Sequence, residues 1–152
     1  MLQHQNQVIN GIDTDVIVQR FSDRTLILVT QLGKVGNLIQ ASIPATAVLP
    51  PPPLVPEQLP PPPPAIQLTN LLGTAPSEHM QTLHSLYASQ IATLMWISEP
   101  ESALGLGKKA VVVGLALKKQ AVEEEGLGES EKVTFRGIMG LVRDMLKQHP
   151  GV

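Results

Sequence analysis

The chain contains no cysteine, and that one absence removes disulfide frameworks, thiolate metal sites and cysteine nucleophiles together. It points to a reducing compartment, cytosol or nucleus. Aromatic residues are nearly as scarce: Phe21, Tyr87, Trp96 and Phe135 are the whole complement, too few for the stacking platforms of single-strand nucleic-acid binders. No lysine or arginine stands between Lys34 and Lys108, and the net charge is -2, so the broad basic footprint of a nucleic-acid surface is missing. No apolar run approaches the roughly 18 residues that a membrane span needs. The opening residues Met1 to Asn6 have neither the basic patch nor the apolar core of a secretion signal, so neither span nor signal is expected.

What the chain has in excess is proline, and it has it in one place. Eleven of its 14 prolines (Pro44, Pro50 to Pro53, Pro56 and Pro60 to Pro64) fall between positions 44 and 64. The composition is that of a globular chain carrying an insert. Without 44–65 and the Gly/Glu-rich stretch 120–133, the remainder suffices for one core, so residues 1–152 are expected to form a single domain.

The first third reads as a meander of short strands. Asn10-Gly11 is a hairpin signal after Val8-Ile9. Ile12, Thr14, Val16 and Val18 then alternate with Asp13, Asp15, Ile17 and Gln19, the period of two of a sheet with one drier face. After a turn at Ser22-Asp23-Arg24, the run Thr25 to Thr30 is apolar on both faces and reads as a central strand covered twice. Gly33-Lys34-Val35-Gly36 turns the chain into Asn37-Leu38-Ile39-Gln40.

Residues 44–65 cannot pair in a sheet, because proline lacks the amide donor and fixes φ near −65°. A polyproline II (PPII) or disordered excursion is expected there, about 65 Å if fully extended at ~3.1 Å per residue. Two readings stay open: an idle insertion dispensable for folding, or a ligand for a PPII reader such as a WW domain or profilin through Leu59 to Pro64. The second makes the chain an adaptor.

Beyond the insert, Ile66 to Leu72 reads as a strand, and Ser77 as the N-cap of an amphipathic helix over 78–98 with Met80, Leu83, Tyr87, Ile91, Leu94 and Met95 inward. Gln81, Thr82, Ser85, Ser89 and Gln90 fall on its other faces. A Gly-rich loop over 101–109 leads into Ala110 to Leu117, a second central strand. Val111, Val113, Leu115 and Leu117 are large on one side of it, whereas Ala110, Val112, Gly114 and Ala116 are mostly small on the other. The acidic stretch 123–131 reads as a solvated linker, and Thr134 as the cap of a last helix, 134–148. The fold class expected is α+β: an antiparallel-rich sheet of Thr14–Gln19, Thr25–Gln31, Asn37–Ser42, Ile66–Leu72 and Ala110–Leu117, with both helices on one face.

Catalytic chemistry finds little to stand on. His79 and His84 are five apart and diverge on a helix, so they do not make the i, i+4 metal pair. Asp13 and Asp15 share a strand face without a third ligand. There is no nucleophile elbow and no Walker loop. Gly33-Lys34-Val35-Gly36 matches the GxxG string of KH domains, but here it joins strands on a surface that is not basic. No enzyme, metal or cofactor is expected.

The run Leu26-Ile27-Leu28-Val29-Thr30-Gln31-Leu32-Gly33-Lys34-Val35-Gly36-Asn37-Leu38 resembles the most recognisable segment of the proteasome assembly chaperone 3 family: an aliphatic strand, Thr-Gln, an apolar residue, Gly-Lys, an apolar residue and Gly. Leu71-Leu72-Gly73, the helix 78–98, the strand Ala110 to Leu117 and the closing helix follow in the family's order. The resemblance thus covers nearly the whole folded chain, and departs from the family at the proline insert and the acidic stretch.

That resemblance implies a non-enzymatic chaperone that pairs with a related subunit, chaperone 4, and promotes assembly of the α-ring of the 20S proteasome, holding one α-type subunit, the fifth in the ring's naming. The sheet face away from the helices, where Ile17, Ile27, Val29 and Val112 are expected, is the candidate for docking the partner, and the chain alone is expected to self-associate or be unstable. The turn Gln31, Gly33, Lys34, Gly36 and Asn37 is the candidate for the client: either its glycines only satisfy turn geometry, or Lys34 faces an acidic client patch.

Overall fold

Asn10 and Gly11 both adopt positive φ, 52° and 77°, the geometry of a two-residue hairpin turn, and they join β1 (Leu2–Ile9) to β2 (Ile12–Arg20). The structure is a computed structural model that describes residues 2–49, 51, 54–55, 58–99, 108–118 and 128–148. The chain continues through β3 (Arg24–Thr30), β4 (Asn37–Ser42), β5 (Gln67–Leu72), α1 (Glu78–Ser98), β6 (Ala110–Ala116) and α2 (Glu129–Gln148). The Gly-rich loop read at 101–109 lies outside the described residues up to 107, as does the acidic stretch from 120 to 127.

The strands form one sheet in the order β1-β2-β3-β6-β4-β5. The α+β class holds: the pairings are antiparallel except for β3 with β6, which run parallel. Late in the sequence but central in the sheet, β6 lies between two strands that a single short turn connects. Its residues are accordingly buried along nearly its whole length, since β3 and β4 flank it on both sides.

Both helices lie on one face. Their core is built on Val16, Val18, Ile27, Val29, Ile39, Val111, Val113 and Leu115 from the sheet and Ile91, Met95, Ile138, Met139 and Met145 from the helices. Tyr87 of α1 meets Phe135 of α2 edge to face, with ring centroids 4.9 Å apart, a favourable geometry for two quadrupoles. Ser77 caps α1, its side chain accepting from the Met80 amide.

Four expectations need correction. First, β1 is a full strand although Gln3 to Gln7 carry no apolar alternation: it sits at the sheet edge, and Gln3 turns inward to donate to the Met145 carbonyl of α2 at 3.0 Å and accept from Arg20 at 2.8 Å. Second, α2 starts at Glu129 rather than at Thr134. The buried Glu131 reaches back to the Gly128 amide at 3.2 Å, half of a capping box, and Thr134 donates to the Ser130 carbonyl one turn earlier. Third, Gln90 is buried rather than solvent-facing, as is every residue from Gln90 to Trp96.

The fourth correction explains the third. The two ends of the proline segment, 44–49 and 58–66, are straps on the domain and not parts of an excursion, whereas Leu54 between them is fully exposed. Ala47, Leu49, Leu59 and Ile66 pack against the core. Pro60 and Pro63 are buried, and Gln90 donates to the Pro60 carbonyl at 2.8 Å. Arg143 of α2 donates to the Gln58 carbonyl at 3.2 Å. Proline brings no amide to satisfy, so its carbonyls need only donors: Gln90 of α1 serves Pro60, and the Ala47 and Ile66 amides serve Pro44 and Pro63. Among the described residues no helix is long and apolar enough to cross a membrane.

Candidate docking surface

Opposite the helices the sheet presents a second face whose composition follows from register. His4, Ile17, Leu28, Gly114, Leu38 and Leu72 are successive cross-strand partners from β1 to β5. Beside that row runs a second one: Gln19, Leu26, Val112, Gln40 and Thr69. Ile17, Leu26, Leu28 and Leu38 are half-buried, Leu72 is 62% exposed, and no helix among the described residues covers them. Gly114 lets the row close. A methyl there would overlap Leu28 Cδ2 and stand 3.0 Å from Leu38 Cδ2, so the missing side chain is what allows these leucines to meet over β6. The result is an aliphatic band across the sheet.

One end of the band is polar. His4 pairs with Asp15 at 2.8 Å, and Asn6 donates to Asp13 at 2.9 Å and to Asp15 at 3.0 Å. The bonds from Asn6 and His4 hold the Asp15 carboxyl below its ordinary pKa. The surface therefore has an aliphatic centre and an acidic rim on the β1–β2 side, the layout of a protein interface.

The β3–β4 turn crosses the end of β6. Gly36 (φ 73°) passes so close that a Cβ would overlap the Leu115 carbonyl. Gln31 is buried: its amide donates to the Ala116 carbonyl at 2.8 Å, its Oε1 accepts from the Lys118 amide at 2.9 Å, and its Nε2 donates to Thr14 at 3.2 Å. At the other end of the turn the buried Asn37 donates to His84 of α1 at 3.2 Å. Between these anchors Leu32, Gly33, Lys34 and Val35 are exposed, and the Leu32 and Lys34 amides both donate to Thr30 Oγ1 at 3.2 Å.

The sequence-predicted site residues thus separate. Ile17 and Val112 are on the face away from the helices, as expected; Ile17 is half-buried, but Val112, between Leu26 and Gln40, is only 6% exposed. Ile27 and Val29 are not: both have 0% exposure beneath the helices. The reason is phase. The run Thr25 to Thr30 is apolar on both sides, so alternation alone does not say which half faces in, whereas pairing fixes it by setting Leu28 opposite Ile17 and Ile27 opposite Val18. Of the turn residues, Lys34 is at the exposed tip, but Gln31 and Asn37 are internal braces. Sequence reading missed Leu26, Leu28, Leu38 and Leu72 on the band, and Leu32 and Val35 at the tip. Once Ile17 is placed outward, hairpin pairing leads to Leu28, but the step to Leu38 needs the position of β6.

His79 and His84 serve different partners, as their spacing suggests. His79 donates to Glu131 at 2.8 Å, while His84 meets Asn37. No family model matches the chain, and no curated protein matches it in sequence.

Proposed function

We propose that this chain is a non-enzymatic assembly chaperone for the α-ring of the 20S proteasome, acting in cytosol or nucleus as a heterodimer with a related subunit of the chaperone 4 type. The observation that carries the reading is the aliphatic band Ile17, Leu28, Leu38 and Leu72, which runs across the sheet with no helix among the described residues covering it. A contiguous exposed apolar surface marks an association site, and a second apolar sheet is the complement that a related partner would bring. The resemblance of Leu26 to Leu38 to the chaperone 3 family supplies the identity of the partners. The exposed tip Leu32 to Val35 is held rigidly beside the band, a position from which it can meet the α-type client while the band meets the partner.

Sedimentation of the chain with and without a chaperone 4-type subunit tests this. Leu28→Asp abolishes the heterodimer and leaves the circular dichroism spectrum unchanged, whereas Arg136→Ala, on the outer surface of α2, affects neither. A wild-type chain that ignores the partner, or a Leu28→Asp chain that still pairs with it, contradicts the proposal. For the client, Lys34→Glu weakens binding of the α-type subunit at low salt more than at moderate salt, because the contact is a rim charge. Equal affinity of Lys34→Glu and wild type at both salts removes the tip from the client surface.

A further inference from the structure

The strap raises a separate possibility of contact, independent of the sheet face. Within Pro60 to Pro63 burial repeats after three residues: Pro60 and Pro63 are buried, while Pro61 and Pro62 are exposed. Three residues per turn is the repeat of a PPII helix, and such a helix has three edges. Here one edge, Pro60 and Pro63, lies against the domain. It is fixed there by the Gln90 amide on the Pro60 carbonyl at 2.8 Å, by Arg143 on the Gln58 carbonyl at 3.2 Å, and by Leu59 packed on the core. A turn closed by the Ile66 amide on the Pro63 carbonyl, 3.2 Å, ends the run. Pro61 and Pro62 face solvent, and so does Pro64 in the closing turn.

From this geometry we propose that the strap is a preordered docking ridge for a PPII-reading protein, one whose groove is lined with aromatic side chains and takes the exposed rings of Pro61 and Pro62 and of Pro64 beside them. A groove that grips a three-edged helix leaves one edge outside, and the edge left outside is the one this domain already holds. Aromatic grooves read such helices through ring-on-proline packing and donors to the carbonyls. Charge narrows the reader further. Glu57 is the single charged residue between Lys34 and Glu78, so a reader that depends on a basic residue flanking the prolines has nothing to hold here. The ridge fits a reader of uncharged proline runs. Ordering by the domain removes part of the conformational cost that a free peptide would bear on binding.

Calorimetric titration of profilin, a reader of uncharged proline runs, with the full chain and with a synthetic peptide of residues 58–66 tests the proposal. The full chain binds more tightly than the peptide. The triple change Pro61→Ala, Pro62→Ala and Pro64→Ala weakens binding at least tenfold while the thermal midpoint stays at the wild-type value, since those side chains touch nothing inward. Gln90→Ala, which releases the ridge without altering it, lowers the affinity of the chain toward that of the peptide. Binding by the peptide but not by the folded chain would mean that the domain conceals the motif, and would overturn the proposal. So would absence of binding by both, a triple variant that binds like wild type, or a Gln90→Ala chain with unchanged affinity.

Discussion

Ile27 and Leu28 are adjacent in sequence and belong to opposite sides of the sheet: Ile27 is fully buried under the helices against Val18, and Leu28 lies half-buried on the uncovered face against Ile17. A substitution at one should therefore act on folding, and at the other on surface. Ile27→Ala removes three carbons from a close-packed layer and is expected to cost about 2–5 kcal/mol of stability. Leu28→Ala gives up only part of its burial and is expected to cost about 1 kcal/mol or less. Urea unfolding of the two variants side by side checks this. Equal losses would mean that the second face is as enclosed as the first.

How far the fold could be read beforehand depended on whether a local rule decided the matter. Asn10-Gly11 specifies its turn by backbone chemistry alone, Ser77 specifies its cap, and the large/small alternation of Val111 to Leu117 does face the core with Val111, Val113 and Leu115. In β3 both halves of the alternation are apolar, and only pairing with β2 and β6 chooses between Ile27 and Leu28. Gln3, Gln31, Asn37 and Gln90 were opaque for another reason. Each is a polar side chain whose partner is a carbonyl, amide, hydroxyl or imidazole distant in sequence, and polarity alone suggested a surface position. The strap misled in the same way, since absence of sheet pairing does not imply absence of packing.

The same distant partners make stability depend on pH. Burial holds the pKa of His84 below its ordinary value. Asn37 occupies Nδ1, while His84 Nε2 and Asn37 Oδ1 have no partner among the described residues, so a second ring proton has no acceptor ready. The folded state favours the neutral imidazole and the unfolded chain takes up the proton first. The contribution is complete above about pH 6.5, the unfolded value, and is lost as pH falls from there through the depressed folded pKa. Urea midpoints between pH 7.5 and 5 should fall for the wild type and fall less for His84→Gln. Parallel lines for the two proteins would assign the pH dependence to other groups.

Replacing 44–65 by a short Gly/Ser linker is expected to destabilise the domain by several kcal/mol, because Leu49, Leu59, Pro60 and Pro63 lose their burial and the buried Gln90 loses its acceptor. Gln90→Ala alone should cost about 1 kcal/mol, the usual net worth of one hydrogen bond. Thermal unfolding of both variants measures it. A linker variant that melts with the wild type would show that the strap rests on the domain without supporting it.

Gly33 and Gly36 bound the same turn and share a positive φ, 70° and 73°, but they differ in what surrounds them. Around Gly33 an added Cβ meets nothing within 4 Å, whereas at Gly36 it meets the Leu115 carbonyl and the Ala116 Cβ, the latter at 2.8 Å. Gly33→Ala should therefore carry only the left-handed conformational cost, about 1–2 kcal/mol. Gly36→Ala carries that cost plus displacement of a backbone crossing that neither side can yield: Leu115 is fixed in the centre of the sheet by β3 and β4, and the turn is pinned by Gln31 and Asn37. A loss at least about 2 kcal/mol larger at Gly36 is expected, together with faster hydrogen exchange of the Gln31 amide, which donates to Ala116 where the turn passes. Denaturant midpoints and exchange rates for the two single variants decide it. Similar midpoints would mean that the turn can lift off β6 at little cost, and with it the rigid presentation of Lys34.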